Sequence, residues 1–491
     1  MAVLFGGILF LLLGYFFYGR FVEKILMPDD RATPAVANPD GVDYVPLPKW
    51  KNMLIQLLNI AGVGPVIGVI AGIKFGKIAL FIIPVGCVLL GAVHDFIGGM
   101  MSLRSNGANL PRMIRDNLGR GYAAIFSWVM LVLLLLVVAV FINVPANLID
   151  RGVFPGMNFF WWAVGAIFVY YVVATLFPVD KIIGSVYPVF GALLIVGSVA
   201  IFGALVFAAF AKPEILGESA AFLEFRENVF DKDGRSPVFP LLFVTIACGI
   251  ISGFHATQSP IVARTMKAER EARVTFYGMM IAEGVIAMIW AAAGLAIYNI
   301  APENLSLTPA AVLGNITHRF LGPWMGGVTV FAIVVLAITS GDTALRSARL
   351  SLSEMLGIDQ KPIASRLAVC APLVACVSLL LWWSNSSAKS FAHLWNYFAW
   401  GNQMLSMSTL MAASVWLLRG GKGLKVLVAL IPGMFMVSVV TTFILWTSVD
   451  KGGPWGIVPG GLSLPVSIAL SAAAVVAFTL FVFRCARKDR Q

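Results

Sequence analysis

Long unbroken runs of apolar residues constrain this chain more than any other feature. The run from Val129 to Ile142 contains no charged or polar side chain, and about 20 such residues suffice for a helix to cross a bilayer. Strands of membrane β-barrels alternate apolar and polar residues, so such a run disfavours a barrel. Because 59% of the 491 residues are hydrophobic and only 12% are charged, the chain is too apolar for a soluble domain. The sequence therefore predicts an all-α, polytopic membrane protein.

Apolar segments between polar loops predict about thirteen spanning helices in a single membrane domain, residues 1–485. The first segment is interpreted as a retained helix rather than a signal peptide, because Arg20 and Lys24 follow its apolar run instead of preceding it. The predicted spans are 2–26, 50–75, 78–103, 121–149, 159–177, 182–211, 238–265, 273–300, 322–350, 362–384, 389–418, 423–449 and 461–485.

Basic residues are distributed unevenly between the two sides of these spans. If the N-terminus lies outside, the cytoplasmic segments hold 25 Lys and Arg and the outer segments hold 10. Basic residues concentrate on the cytoplasmic side of membrane proteins. The pattern therefore predicts an outer N-terminus and a cytoplasmic C-terminus, and it explains the net charge of +11 without a nucleic-acid partner.

Two predicted spans are interrupted near their middle. The second contains Gly62, Gly64 and Pro65, and the seventh contains a polar stretch from Ser252 to Pro260. Either interruption alone could be a proline kink that helps packing. Their starts are separated by five spans and they run in opposite directions, which is typical of inverted repeats that each begin with a broken helix. The repeats would cover residues 50–211 and 238–418, preceded by residues 1–49 and followed by residues 423–485.

Unwound backbone at the two breaks predicts a substrate site between them. A half-helix N-terminus offers free N–H groups to a carboxylate, and free carbonyl groups suit a cation. We therefore expect a small anionic or zwitterionic ligand. Two of the candidates have an alternative structural role. His255 could be a hydrogen-bonded histidine that only supports the fold, and Asn402 could form a hydrogen bond between helices. The residues predicted to line the site are Gly62, Val63, Gly64, Ser252, Gly253, Phe254, His255 and Asn402.

Three carboxylates fall within predicted spans, where charge is costly and functional roles are common. Glu283 has apolar neighbours, so it is expected either to exchange a proton or to stay protonated as a hydrogen-bond donor. Asp95 is a coupling candidate or the anchor of a helix contact. Asp342 is a coupling candidate or the partner of Arg346, four residues further along the same helix.

Hydroxyl groups in the ninth span suggest a second ion site. Thr339 and Ser340, with the backbone carbonyls of Ala61 and Gly64, would form an oxygen shell suited to sodium. Small polar residues are also common at helix contacts in membranes. The coupling ion is thus predicted to be a proton or, as the second choice, sodium, and neither a cofactor nor a bound metal other than sodium is expected.

Several separated stretches resemble the carbon starvation protein A (CstA) family of bacterial inner-membrane transporters. The most specific are Ser-Gly-Phe-His-Ala and Asp-Phe followed by Asn-Gly-Ala. His94 and the residues after His255 depart from the family pattern. The matching stretches are residues 59–68, 91–96, 105–108, 246–249, 252–256, 340–346 and 401–405.

This resemblance implies a fold and a function. The fold would be the five-plus-five inverted repeat of LeuT, within the amino acid–polyamine–cation superfamily. The function would be ion-coupled symport of peptides or pyruvate across the bacterial inner membrane during carbon starvation.

Other functional classes fit the residues less well. No HExxH, nucleophile elbow or GxxxxGK[ST] motif is present, which disfavours an enzyme or an ATP-driven pump. An intramembrane starvation sensor or a channel without coupled transport is the alternative. The predicted loops are too short for a soluble signalling domain. The expected partners are a small-molecule substrate and the lipid bilayer.

Overall fold

The computed structural model describes residues 1–152, 157–176, 179–212, 236–451, 453 and 456–487, which form α-helices joined by loops. In chain order the helices are α1 (Ala2–Leu26), α2 (Lys49–Ala61), α3 (Gly64–Phe75), α4 (Ile78–Arg104), α5 (Leu110–Leu118), α6 (Arg120–Gly152), α7 (Phe160–Leu176), α8 (Val179–Ala211), α9 (Val238–Thr245), α10 (Ala247–Ile250), α11 (Gly253–Ala263), α12 (Glu269–Ile300), α13 (Pro309–Leu356), α14 (Ile363–Ser384), α15 (Ala388–Arg419), α16 (Gly423–Trp446) and α17 (Leu464–Arg487).

The prediction of an all-helical, polytopic membrane protein is confirmed. Within the described ranges, nine helices are long and apolar enough to cross a membrane, and the bent pair of α2 and α3 makes ten. The apolar helix Phe160–Ala174 and the fragments α9 to α11 are shorter. The count of thirteen spans stays a prediction.

Most predicted boundaries lie close to those of the helices, and α13 differs most. It begins at Pro309, thirteen residues before the predicted start at 322. Thr308 caps this extension, since its Oγ1 accepts a hydrogen bond from the Ala311 N–H. The predicted start coincides with a kink at Gly322, where φ is 71° and Pro323 follows. Because the backbone of Gly322 is not helical, residues 309–321 form a separate segment, and the predicted helix start at 322 agrees with the backbone.

The outer surface of the helical assembly is apolar. Large aromatic side chains such as Trp162, Phe207, Phe210 and Trp324 are exposed, as expected where lipid rather than water surrounds the protein. By contrast, α12 is buried on nearly all sides, and it packs against several of the other helices. A helix that is apolar all round belongs in such a central position.

The segment between α1 and α2, residues 28–48, crosses the ends of several helices, and we call it the N-terminal strap. The Leu47 N–H donates to the carbonyl of Thr265, just after α11. Asn52, in the first turn of α2, donates to the same carbonyl and accepts from the Thr265 hydroxyl. These bonds fix the beginning of α2 beside the end of α11, so the two helices are antiparallel.

Ion pairs hold the strap to the helix ends. The buried carboxylate of Glu269 lies 2.6 Å from Nε of Arg104 and 3.3 Å from Nε of Arg31 in the strap. Asp43 of the strap lies 3.5 Å from Arg346 of α13. The strap thus connects α4, α12 and α13 on the side of the molecule where α2 begins.

Candidate functional site

The interruption in the second predicted span is a two-residue break between α2 and α3. Gly62 has φ 47° and ψ −145°, a conformation that L-residues avoid. A Cβ at Gly62 would also lie 3.0 Å from Cζ of Phe141 and 3.4 Å from Oγ of Ser340. Val63 follows, and Pro65 lies in the first turn of α3, where its missing N–H costs no hydrogen bond. The two half-helices meet at 48°.

The interruption in the seventh predicted span is shorter than the sequence indicates. Ile251 and Ser252 are extended, and α11 begins at Gly253. The prediction that the whole polar stretch to Pro260 interrupts the helix is wrong, because residues from Gly253 onward are helical. Hydroxyl groups in this stretch bond to the carbonyls of their own helix, as Thr257 does to Phe254, so polar composition here is compatible with a helix.

The two breaks lie next to each other. The first turn of α3 packs against α10. A Cβ at Gly68 would lie 3.3 Å from the carbonyl oxygen of Thr245, and one at Gly249 would lie 3.1 Å from the Val69 side chain. Small residues therefore allow the interrupted segments to approach closely, and a ligand between the breaks stays a prediction.

Asn402 of α15 caps the N-terminus of α11. Its Oδ1 accepts the Phe254 N–H at 2.7 Å and the Ser252 hydroxyl at 2.9 Å. Gly253 rests against the backbone of α15, where a Cβ would clash with Asn402 and Ser406. Of the two predicted roles for Asn402, the structure shows the interhelical hydrogen bond. In this conformation an amide oxygen occupies the position that the sequence predicts for a substrate carboxylate.

Four ionisable side chains from three helices meet beside this cap, and we call them the carboxylate–imidazole cluster: His94, Asp95, His255 and Glu283. Asp95 is central, with Oδ1 2.8 Å from Nδ1 of His94 and Oδ2 2.9 Å from Nδ1 of His255. Nε2 of His255 lies 3.7 Å from Oε2 of Glu283. All four side chains are completely buried.

The geometry of the cluster requires a proton on its outer pair. An ionised Asp95 accepts from both imidazoles, which places a proton on Nδ1 of each histidine. If His255 is neutral, its Nε2 lone pair then faces the Glu283 carboxylate, and two acceptors repel one another. A proton on either His255 or Glu283 removes this repulsion. Neither oxygen of Glu283 has a hydrogen-bond partner among the described residues. An imidazole nitrogen and a carboxylate thus face each other in a completely buried setting.

The candidate sodium site is brought together in part. The Ser340 hydroxyl donates to the Leu58 carbonyl at 3.0 Å, one of the carbonyl groups left without a helical partner where α2 ends. Ser340 also lies against Gly62. Thr339 donates to Leu336 of its own helix. Over the described residues no group of three or more His, Cys, Asp or Glu is arranged to hold a metal ion.

The other coupling candidate, Asp342, contacts a different helix. Its Oδ2 accepts the hydroxyl of Tyr170 in α7 at 2.8 Å. Arg346, the partner that helical spacing suggests, donates to the Ala174 carbonyl and pairs with Asp43 of the strap. Both residues therefore connect α13 to its neighbours in the assembly.

Sequence reasoning missed three residues of this region. Phe141 packs against Gly62 and edge-on against Phe254, with ring centroids 6.0 Å apart. Gln56 and Asn59 are fully buried amides in the last two turns before the break. A signal was available for these amides, because polar residues at helical spacing interrupt an otherwise apolar half-helix.

Most of the chain matches one known protein family. Residues 1–161, 159–319 and 303–443 match the family described as carbon starvation protein CstA. An uncharacterized membrane protein of Haemophilus influenzae is 42% identical over 59% of this chain and 89% of its own length. The peptide transporter CstA of Campylobacter jejuni is 26% identical over 87% of this chain and 77% of its own. The pyruvate/proton symporter BtsT of Escherichia coli is 28% identical over 57% of this chain and 46% of its own.

Solved structures share the fold at low sequence identity. MhsT in complex with L-phenylalanine superimposes with a TM-score of 0.56 and 13% identity, covering 89% of this chain and 99% of that one. The manganese transporter of Eremococcus coleocola gives a TM-score of 0.55 and 13% identity, covering 91% of this chain and 98% of that one. The helical architecture is therefore that of LeuT-fold transporters.

Proposed function

The chain belongs to the carbon starvation protein CstA family, and on that premise we propose that it is a secondary active transporter that imports a small carboxylate-bearing nutrient together with a proton. The substrate would be a peptide, an amino acid or pyruvate, taken up across the bacterial inner membrane when carbon is limiting. The relatives named as peptide transporters and as a pyruvate/proton symporter support this substrate range.

The carboxylate–imidazole cluster is the observation that carries the proposal. Its outer pair, His255 and Glu283, needs one proton to relieve the repulsion between facing acceptors, and the pair is completely buried. His255 lies in the first turns of α11, directly after the break. A proton bound there therefore changes the charge beside the predicted substrate site.

The finer topology also belongs to this proposal. Thirteen spans would be arranged as two inverted sets of five, residues 50–211 and 238–418, with the N-terminus outside and the C-terminus cytoplasmic. Alternating access would then come from movement of the broken helices around the fixed site. The adjacent breaks of α2/α3 and α10/α11 support this arrangement.

We place the substrate between the breaks. Gly62, Val63 and Gly64 would contact it from one side, and Ser252, Gly253, Phe254 and His255 from the other. The substrate carboxylate would displace the Asn402 amide from the N-terminus of α11. Sodium, bound by Ala61, Gly64, Thr339 and Ser340, is the competing coupling ion, and the bond from Ser340 to the end of α2 favours that candidate.

Uptake into proteoliposomes tests the proposal. Labelled pyruvate, alanine and alanyl-alanine would be supplied with an inward proton gradient, with a sodium gradient, or with neither. We expect accumulation of at least one substrate under the proton gradient and its collapse when a protonophore is added. If no labelled carboxylate accumulates under either gradient, the transport function is wrong. Accumulation under the sodium gradient alone would mean that sodium bound near Ser340, and not a proton on the cluster, is the coupling ion.

A further inference from the structure

Two buried amide side chains in α2 have no hydrogen-bond partner in the part of the chain that the structure describes. Gln56 and Asn59 are fully buried. Among the described residues, neither the nitrogen nor the oxygen of either amide has a partner. Because both ends of each amide are unpartnered, exchanging the nitrogen and oxygen positions would not satisfy them. Four polar atoms in the last two turns before the break at Gly62 are therefore without partners among the described residues.

Asn52 provides an internal comparison on the same helix. It lies four residues before Gln56 and seven before Asn59, so the three amides share one face. Asn52 donates to the Leu47 and Thr265 carbonyls and accepts from the Thr265 hydroxyl. An amide with a structural role on this face is thus fully bonded. The absence of partners is specific to the two amides nearer the break.

Such groups are costly to bury without partners, especially in a membrane. An apolar side chain of the same shape at either position would be neutral or stabilising. Their neighbours Leu57, Leu58 and Ile60 are buried apolar residues, which offer no hydrogen bonds. The two amides therefore lower the stability of the protein unless a ligand or ordered water bonds to them.

One of the helices that pack against α2 carries further groups without hydrogen bonds among the described residues. Both parts of α12, Arg273–Tyr277 and Gly278–Ile300, pack against α2. Thr275 and Glu283 are fully buried there, and in the described part of the chain neither the Thr275 hydroxyl nor the Glu283 carboxylate has a hydrogen bond. Since they are eight residues apart, they lie on one face of α12. Donors and acceptors without hydrogen bonds among the described residues thus occur on two packed helices.

The chemistry of these groups restricts the ligand. Each amide offers one donor group and one acceptor oxygen. A keto acid supplies only acceptors, so it would satisfy the amide nitrogens and leave both oxygens unbonded. A molecule with a carboxylate and an ammonium or amide N–H group satisfies both ends.

We infer that Gln56 and Asn59 form a binding site for a small amino-group-bearing carboxylate, an amino acid or short peptide, beside the break that follows α2. The inference rests on the proposed transport function, whose substrate class it narrows. The amide nitrogens donate to the carboxylate or a peptide carbonyl. The amide oxygens accept from N–H groups of the ligand.

Equilibrium binding to the purified full chain in detergent tests the site without requiring transport. Labelled alanine, alanyl-alanine and pyruvate are the probes, and Gln56→Met and Asn59→Leu are the variants, since both keep shape and remove hydrogen bonds. We expect an amino probe to bind the unmodified protein at least about tenfold more tightly than pyruvate. Each variant should lose about tenfold in affinity for that probe.

Thermal unfolding separates binding from folding. Without ligand, Gln56→Met and Asn59→Leu should unfold at the same temperature as the unmodified protein or higher. Asn52→Leu should unfold at a lower temperature, because it leaves the Thr265 hydroxyl and carbonyl without their partner. Leu57→Met, a change of similar shape in the same turn, should leave the affinity unchanged.

The site is wrong if pyruvate binds as tightly as the amino probes, if no probe binds, or if both variants bind with unchanged affinity. The last result would mean that the amides hold ordered water only. These outcomes are distinct from failure of the proposed function. Gradient-driven uptake of pyruvate alone would keep the transport function and overturn the site. Binding of an amino probe without gradient-driven uptake would keep the site and overturn coupled transport.

Discussion

Replacing Glu283 with glutamine should uncouple transport from the proton gradient while leaving substrate binding intact. Glutamine has nearly the same shape as a protonated glutamate, and its amide N–H can donate to Nε2 of His255. The variant therefore holds the cluster permanently in the form that the bound proton would create. It should bind substrate and exchange it across the membrane, but it should not accumulate substrate against a gradient.

The expected size of the effect follows from the distance within the pair. At 3.7 Å between Nε2 of His255 and Oε2 of Glu283, an imidazolium and a carboxylate attract by about 4 kcal/mol with an effective dielectric constant of about 20. Every 1.4 kcal/mol corresponds to about a tenfold change in an equilibrium constant. Removing this charge therefore lowers the proton affinity of His255 by up to about a thousandfold. Accumulation driven by a pH gradient should fall at least about tenfold.

Two assays on the same proteoliposomes separate the outcomes. Gradient-driven accumulation measures coupling, and exchange of labelled for unlabelled substrate measures binding and movement without net proton flow. Glu303→Gln, an exposed carboxylate after the end of α12, is the matched control and should behave as the unmodified protein. If Glu283→Gln accumulates substrate fully under a pH gradient, the proton does not act through this pair.

Three further changes test the framework around the site. Gly62→Ala should destabilise the protein by about 1–3 kcal/mol, because it strains the backbone and crowds Phe141. Thermal unfolding measures this loss, and an unchanged unfolding temperature would contradict the reasoning. Asn402→Ala should cost about 1 kcal/mol by leaving the Phe254 N–H unbonded, whereas Asn402→Asp keeps the acceptor and should recover most of this loss. Glu269→Gln should lower the unfolding temperature, because it removes the buried charge that two arginines share. If the variant and the unmodified protein unfold at the same temperature at low salt, this charge does not hold the strap.

The helices and the two breaks were predictable because their signals are local. Apolar runs delimit most spans to within a few residues, and two glycines with a proline within four residues mark the break at Gly62. The polar stretch after Ser252 gave a wrong extent because the same residue types serve loops and helices. There, Thr257 and Ser259 bond to carbonyls of α11, and packing against α15 decides the conformation.

The cluster could not be predicted as a unit, because its members are distant in sequence. Asp95 and His255 are 160 residues apart. In the sequence, each residue is visible only as a single ionisable side chain within an apolar segment. The role of Asn402 was open for the same reason, since only the fold brings its oxygen to the Phe254 N–H. Which polar groups remain without partners, as at Gln56 and Asn59, is likewise a property of the packed helices rather than of any one segment.

Under the proposed function, the first turns of α11 link the substrate to the proton. The N–H of Phe254 is held by Asn402, and the next residue, His255, is held by Asp95 on α4. A substrate carboxylate that displaces Asn402 brings negative charge to the start of α11, which favours a proton on His255 or Glu283 by simple electrostatics. The same contact would replace one hydrogen bond between α11 and α15, while the bond to Asp95 keeps α11 with α4. Substrate binding would thus raise the proton affinity of the cluster and weaken one contact of the broken helix in a single step, which is the reciprocal coupling that symport requires.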